Sequence, residues 1–159
     1  MEQRVVPINK EDMEKRMERL AFFRFSFGNT EGGKEIKDAR IFLCEEHFML
    51  GDEDYTDCIP FIIRHEIAEM WIIAKAGWST LNSKRMSRDE RDKMAHEFAL
   101  LQEFEYAFKL GKAARLLEFI KKISSSESDE RGRNPYLESK GVYEKIKRRL
   151  QSAETSNIG

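Results

Sequence analysis

Residues 57–77, DCIPFIIRHEIAEMWIIAKAG, constrain the fold of this chain more than any other stretch of its sequence. The stretch has the length of one helix and is almost wholly apolar, but His65, Glu66 and Glu69 interrupt it near its centre. Because residues four apart share a helix face, His65 and Glu69 lie together on an arc of otherwise apolar side chains. An unpaired carboxylate there would destabilise the fold by several kcal/mol. The most economical explanation is that these side chains bind a divalent metal ion.

The composition predicts one compact domain in the cytoplasm. A chain of 159 residues is large enough to form a core without disulfides, and two cysteines do not make a disulfide framework. The N-terminal sequence lacks the apolar segment of a secretion signal, and the charges inside the apolar stretch argue against a membrane span. With 28 basic and 29 acidic residues the net charge is -1, so a nucleic-acid partner is not expected.

Hydrophobic periodicity and capping residues predict a mostly helical chain. Asn9 is the expected N-cap of an amphipathic helix over residues 9–23, and Ser87 is the expected N-cap of a long helix that ends at Gly111. The remaining expected helix boundaries are Thr56 or Asp57 and Gly77 for the central helix, and residues 112–123 and 135–151 for two further helices.

The β-structure is expected to be small. Residues 39–50, ARIFLCEEHFML, are rich in Ile, Phe and Leu and are interrupted by Glu45 and Glu46, which predicts two short strands in a hairpin that turns at these glutamates. Residues 26–34 contain three glycines and an asparagine, which is typical of a loop. The expected fold class is therefore α+β and predominantly helical, with a small antiparallel sheet packed on a central metal-binding helix.

The sequence predicts one metal-binding domain over residues 1–123. Residues 124–134, SSSESDERGRN, are rich in serine and charge, as expected for a linker. Residues 135–151 form a basic amphipathic helix that we expect to pack on the same domain.

Two motifs carry the chemistry, HEIAE at residues 65–69 and HEFALLQE at residues 96–103. A catalytic zinc site needs three protein ligands and an open position, and His65, Glu69 and His96 supply such a set. Glu66 lies beside His65 and matches the general base that takes a proton from water in HExxH metallohydrolases. Glu103 lies two turns from His96 on the same face, where it is either a further ligand or the partner that orients His96.

At these residues the chain resembles the zincin-like metallopeptidases, and in particular compact forms in which HExxE replaces HExxH and HxxAxxxE follows downstream. The second element stands here as His96, Ala99 and Glu103, and the resemblance covers roughly residues 36 to 110. It implies a peptide or protein substrate, and a sheet edge that holds the substrate in extended form, for which residues 39–50 are the expected segment. Glu69 stands where better-known zincins have histidine. The carboxylate therefore also admits manganese or iron in place of zinc.

Simpler interpretations remain open from the sequence alone. His65 and Glu69 can form a core ion pair without a metal, and the two-helix site can be structural or degenerate. The chain would then be a non-catalytic interaction module that contacts a protein or a nucleic acid through its basic C-terminal helix. Other notable residues have ordinary explanations: His47 as a strand residue, Cys44 and Cys58 as small buried side chains, and Asp52, Glu53 and Asp54 as a solvated turn.

Overall fold

A computed structural model describes residues 3–16, 18, 20–31, 33–75, 88–124 and 134–158. Over these residues the protein is α+β and predominantly helical with a small sheet, which confirms the fold class expected from the sequence. The chain divides into two compact units, Met1–Ala99 and Leu100–Gly159. None of the helices that the structure describes is long and apolar enough to cross a membrane.

A three-stranded sheet forms the first part of the Met1–Ala99 unit. Its elements are β1 (Gln3–Pro7), a short helix α1 (Lys10–Lys15), β2 (Ala21–Thr30) and β3 (Gly33–Leu43). The strand order is β1-β3-β2, with β1 parallel and β2 antiparallel to β3. The long strand β3 is therefore central, and β1 and β2 are the two edges of a mixed sheet.

The residues of the sheet alternate between two faces. On one face Ala21, Ile41 and Leu43 are buried, whereas Arg24 and Arg40 on the other face are exposed. The next helix, α2 (Ile59–Lys75), packs against β2 and β3. Because only one face is buried, α2 covers the apolar face and leaves the arginines in solvent.

A compact connection joins β3 to α2. It contains a 3-10 helix (Glu45–Phe48), a two-strand hairpin of β4 (Met49–Leu50) and β5 (Glu53–Asp54), and a second 3-10 helix (Thr56–Cys58) that continues directly into α2. Gly51 has a φ of 64° at the first position of the two-residue hairpin turn, a conformation that favours glycine. The Asp54 carboxylate accepts hydrogen bonds from the Thr56 backbone N–H at 2.8 Å and the Thr56 hydroxyl at 2.6 Å, and so caps the entry to α2.

Three helices complete the described chain. They are α3 (Arg88–Lys109), which begins in the first unit and ends in the second, α4 (Ala113–Ile123) and α5 (Pro135–Ile158). In the second unit α4 packs against α5, and Leu116, Phe119 and Ile146 are buried. The ring of Tyr143 stacks on Phe108 at 5.1 Å between centroids. The basic C-terminal helix α5 ends at Ile158, beyond the predicted end at residue 151.

The first predicted helix is wrong beyond Lys15. Asn9 does cap it, since its side chain accepts a hydrogen bond of 2.8 Å from the Asp12 backbone N–H. The chain then enters β2, and the predicted loop at residues 26–34 belongs to the β2–β3 hairpin, in which Thr30 pairs with Gly33. Clustered phenylalanines in β2 favour a strand, and cross-strand pairing extends through the glycines.

The predicted hairpin at residues 39–50 is also wrong. β3 ends at Leu43, and Glu45 and Glu46 open a 3-10 helix instead of a turn. Residues 39–43 lie in the central strand, and residues 40–43 already pair on both sides, so this segment cannot hold a substrate as a sheet edge. The N-terminal strand β1 was not expected from the sequence.

The capping and linker predictions have mixed outcomes. Thr56 and Asp57 lie inside the 3-10 helix that precedes α2. The N-cap position of this helix is Tyr55, and the capping hydrogen bond from the Thr56 N–H goes to the side chain of Asp54. The predicted caps Gly77 and Ser87 and most of the predicted linker, residues 125–133, lie outside the described residues.

Candidate metal centre

The helix α2 brings His65 and Glu69 together through their spacing of one turn. The Nε2 atom of His65 lies 3.2 Å from Oε2 of Glu69. Their side chains are only 12% and 25% exposed, so both polar groups are largely withdrawn from water. Burying two polar groups destabilises the fold unless each has a hydrogen-bonding partner, and here the two groups contact each other.

The helix α3 adds His96 to this pair. The rings of His65 and His96 are 5.2 Å apart between centroids and inclined by 64°. One nitrogen of each histidine and one carboxylate oxygen of Glu69 lie within 4.8 Å of one another. Among the described residues this is the one group of three or more His, Cys, Asp or Glu side chains with that geometry. All three ligand atoms belong to the Met1–Ala99 unit.

These three residues fit a divalent metal ion. Zinc binds imidazole nitrogen and carboxylate oxygen at about 2.0–2.2 Å, so two atoms on one ion are at most about 4.4 Å apart. The 3.2 Å between Nε2 of His65 and Oε2 of Glu69 is within that limit. The three ligand atoms lie within 4.8 Å of one another, and a small side-chain rotation would bring them within about 4.4 Å. Two imidazoles and one carboxylate also match a known catalytic zinc set with one coordination position left for water or substrate.

Glu66 lies beside His65 on α2 and is half-buried. Its carboxylate is not part of the three-residue group. Consecutive residues of a helix are rotated by about 100° from one another, so Glu66 and His65 point in different directions. The role of Glu66 as a general base stays a prediction.

Glu103 is one of the two buried polar residues among those the structure describes, with 2% of its surface exposed. It lies on the part of α3 that belongs to the Leu100–Gly159 unit, and the three-residue group does not include it. Its predicted role as a further ligand or as the partner of His96 therefore stays a prediction.

Sequence reasoning missed an acidic residue near the site, Glu18. It follows α1, where its backbone N–H donates to the Met13 carbonyl at 3.2 Å. Although Glu18 as a residue is exposed, partial desolvation of its carboxyl raises its pKa, and the negative charge of Glu69 raises it further. No local pattern reveals this neighbour, because the two glutamates are brought close only by the folded chain.

The remaining residues that the sequence singled out are not part of the three-residue group. His47 is in a 3-10 helix and not in a strand, and its Nε2 atom is 3.8 Å from Oε1 of Glu14. Cys44 and Cys58 do not form a disulfide and are fully buried, as expected for small apolar side chains. The acidic turn is exposed, which confirms that Asp52, Glu53 and Asp54 are solvated.

The chain was compared with protein-family models, with curated proteins and with solved structures, and none of them matches it. Only the geometry and chemistry of the site therefore bear on its function.

Proposed function

We propose that this chain is a zinc-dependent metallopeptidase of the zincin-like class, in which His65, Glu69 and His96 hold the metal. The observation that carries the proposal is the convergence of these three donor groups within 4.8 Å from two separate helices. Core packing alone does not require two histidines and a glutamate to meet in a largely buried place. Manganese or iron would suit the same ligands, although the two imidazoles favour zinc.

In this proposal the protein supplies a rigid ligand set and one proton acceptor. A bound zinc ion polarises a substrate carbonyl and lowers the pKa of water to about 7. Glu66 takes a proton from the attacking water and delivers it to the nitrogen of the leaving amine. His65 and Glu69 are fixed by α2, whose entry is capped by Asp54, so the ligands are already oriented before substrate arrives.

The peptide substrate would bind in extended form along an edge of the sheet. β2 is the favoured edge, because it is an outer strand of the three-stranded sheet and packs against α2. Strand addition satisfies the backbone N–H and C=O groups of both chains and holds the scissile bond in a fixed register. We place this activity in the cytoplasm.

A second candidate function is a non-catalytic module in which the same residues have a structural role. The 3.2 Å contact between His65 and Glu69 favours this candidate, since the two groups can satisfy each other without a metal. Absence of metal would favour a His65–Glu69 pair that is complete by itself. A stoichiometric metal would not by itself separate a catalytic site from a structural one, whereas an open coordination position occupied by water would favour the catalytic site.

The three histidines of the chain provide a matched test of metal binding. His65→Ala and His96→Ala each remove one of three ligands, so we expect both variants to lose stoichiometric metal. His47→Ala removes a half-buried histidine outside the group and should keep one metal per chain. The measurement is elemental analysis of each protein purified without added metal and after zinc loading and dialysis. Metal-free wild type after loading, or full retention in both ligand variants, would exclude the proposed centre.

A further inference from the structure

The exposed face of the sheet carries a row of arginines across all three strands. Arg4 of β1 pairs in register with Arg40 of β3, and Arg24 of β2 pairs with the same Arg40 from the other side. Residues in register point to the same face, and neighbouring strands are about 4.8 Å apart. The three exposed arginines therefore stand side by side on one face, with their backbones across about 10 Å of sheet.

A strip of aromatic surface lies beside this arginine row. Phe22 and Phe42 are half-exposed and stack across the strands, with 4.7 Å between centroids and planes inclined by 10°. The guanidinium of Arg16 lies 5.1 Å from the Phe22 centroid, and that of Arg40 lies 6.0 Å from the Phe42 centroid. The face thus combines planar cations with stacked rings.

The positive charge of this face is not neutralised within the described chain. No ion pair joins Arg4, Arg16, Arg24 or Arg40 to a carboxylate of a described residue. Beside Arg24 and Arg40 the surface is concave, and Asp38 is the one acidic side chain among the described residues that line this concavity. Like charges directly opposite on neighbouring strands destabilise a sheet. Folding stability alone therefore gives no reason for Arg4, Arg24 and Arg40 to share one row.

We propose that this arginine face, formed by Arg4, Arg16, Arg24 and Arg40 with Phe22 and Phe42, binds single-stranded nucleic acid. Guanidinium groups bind phosphate through two parallel hydrogen bonds, and the cations of this face whose side chains the structure describes are all arginine. Bases stack on aromatic rings and on guanidinium planes, a contact that an acidic peptide does not offer. Beside Arg24 and Arg40 the sheet forms a concavity of about 520 Å³, which is in the range of sites that hold small molecules and would admit a base.

The overall charge of -1 does not oppose this proposal, because binding depends on local charge. The site is also separate from the proposed metal centre, since α2 packs on the opposite, buried face of the sheet. The arginine face supplies neither a proposed metal ligand nor the proposed general base, so each proposal can fail without the other.

The test is a fluorescence anisotropy titration of the full chain with a labelled single-stranded oligonucleotide, as DNA and as RNA, over a range of salt concentrations. Wild type should bind with an affinity that falls as salt rises. Arg24→Gln/Arg40→Gln should bind at least ~10-fold more weakly, and the slope of log K against log salt should shrink by about 1.4. Arg24→Lys/Arg40→Lys keeps both charges and should retain the slope.

The matched control is Lys140→Gln/Lys145→Gln, which removes the same charge from exposed positions of α5. It should bind like wild type, and circular dichroism should show every variant folded. Absence of salt-dependent binding by wild type overturns the proposal, as does an equal loss in the control, which would implicate the basic helix. A poly-glutamate peptide that competes as well as an unlabelled oligonucleotide would also overturn it, in favour of an acidic protein partner.

Discussion

At the scale of single residues, changes at Glu66 and Glu69 test the proposed proton transfer and the proposed metal binding separately. Glu66→Gln keeps the size and the helix propensity of the side chain but removes the base, so we expect a normal metal content and a rate of hydrolysis at least ~10²-fold lower. Glu69→Gln is the matched change one turn away, and it should reduce metal content because it removes a charged ligand.

The measurement for this pair is elemental analysis together with a proteome-wide comparison of newly cleaved peptide termini. Cleavage by wild type should disappear in Glu66→Gln while the metal remains. An identical set of cleaved termini from wild type and Glu66→Gln would contradict the catalytic role of this carboxylate. Loss of metal from Glu66→Gln would place Glu66 among the ligands instead.

Glu18 gives a prediction about the dependence of stability on pH. Its pKa is raised in the folded chain, so the folded state holds this proton more tightly than the unfolded state does. The stability that Glu18 contributes is therefore present at low pH and is lost as the pH rises through the folded pKa. At pH 7 the ionised carboxylate is unfavourable, and Glu18→Gln should raise the Tm of the metal-free protein.

This difference in Tm should close below about pH 4, where Glu18 is protonated in the folded and the unfolded chain. Thermal melts of metal-free protein across the pH range measure it. Glu154→Gln removes the same charge from an exposed position of α5 and should show no such closing gap. A Glu18→Gln protein that melts below wild type at pH 7 would show that the carboxylate has a favourable partner.

At the scale of elements, the cap before α2 supports the helix that holds two of the proposed ligands. Asp54→Ala removes the acceptor of both hydrogen bonds from Thr56 and should lower the free energy of unfolding by about 1 kcal/mol. Asp52→Ala removes the same charge from the same hairpin at an exposed position and should change it by less than about 0.5 kcal/mol. Urea denaturation measures both, and equal effects would mean that the loss of charge, not of the cap, matters.

The helices of this protein follow from its sequence much better than its strands. A helix shows its apolar stripe within one segment, so the described extents of α2, α3 and α4 agree with the sequence to within a few residues. β2 shows no clean alternation, because Phe22 and Phe23 put aromatic rings on both faces. β1 is five residues long and is defined by its parallel partner β3, which lies far along the chain. Such pairing is not visible in a local window.

The candidate site follows from the sequence only in part, for a similar reason. His65 and Glu69 meet because of helix geometry, which their spacing states directly. His96 belongs to another helix, α3. The second motif, at residues 96–103, predicted that His96 lies close to His65 and Glu69, as it does in the structure. Glu18 belongs to neither motif, so the effect of Glu69 on the pKa of Glu18 depends on tertiary structure that no sequence spacing encodes.

At the scale of the whole molecule, metal binding should stabilise the folded chain. Unfolding separates His96 from α2, so an ion bound by all three side chains favours the folded state by about 2.7 kcal/mol at a concentration 100 times its Kd. For a chain of this size that corresponds to a rise in Tm of about 5–10 °C. Calorimetry with zinc and with a chelator measures the difference. His65→Ala should melt at the same temperature under both conditions, and a wild type that does the same would contradict the linkage.

The one-turn spacing of His65 and Glu69 also bears on the rates at which a metal ion would bind and dissociate. Two donors sit on α2 and are in place whenever that helix is formed, whereas the third sits on α3 and joins them only when the intervening chain has closed into a loop. An ion would therefore be captured by α2 first and locked by His96 afterwards. Dissociation of the ion would begin with local unfolding of the first turns of α3. The rate of metal exchange would therefore measure local unfolding at one helix end and would not require global unfolding of the protein.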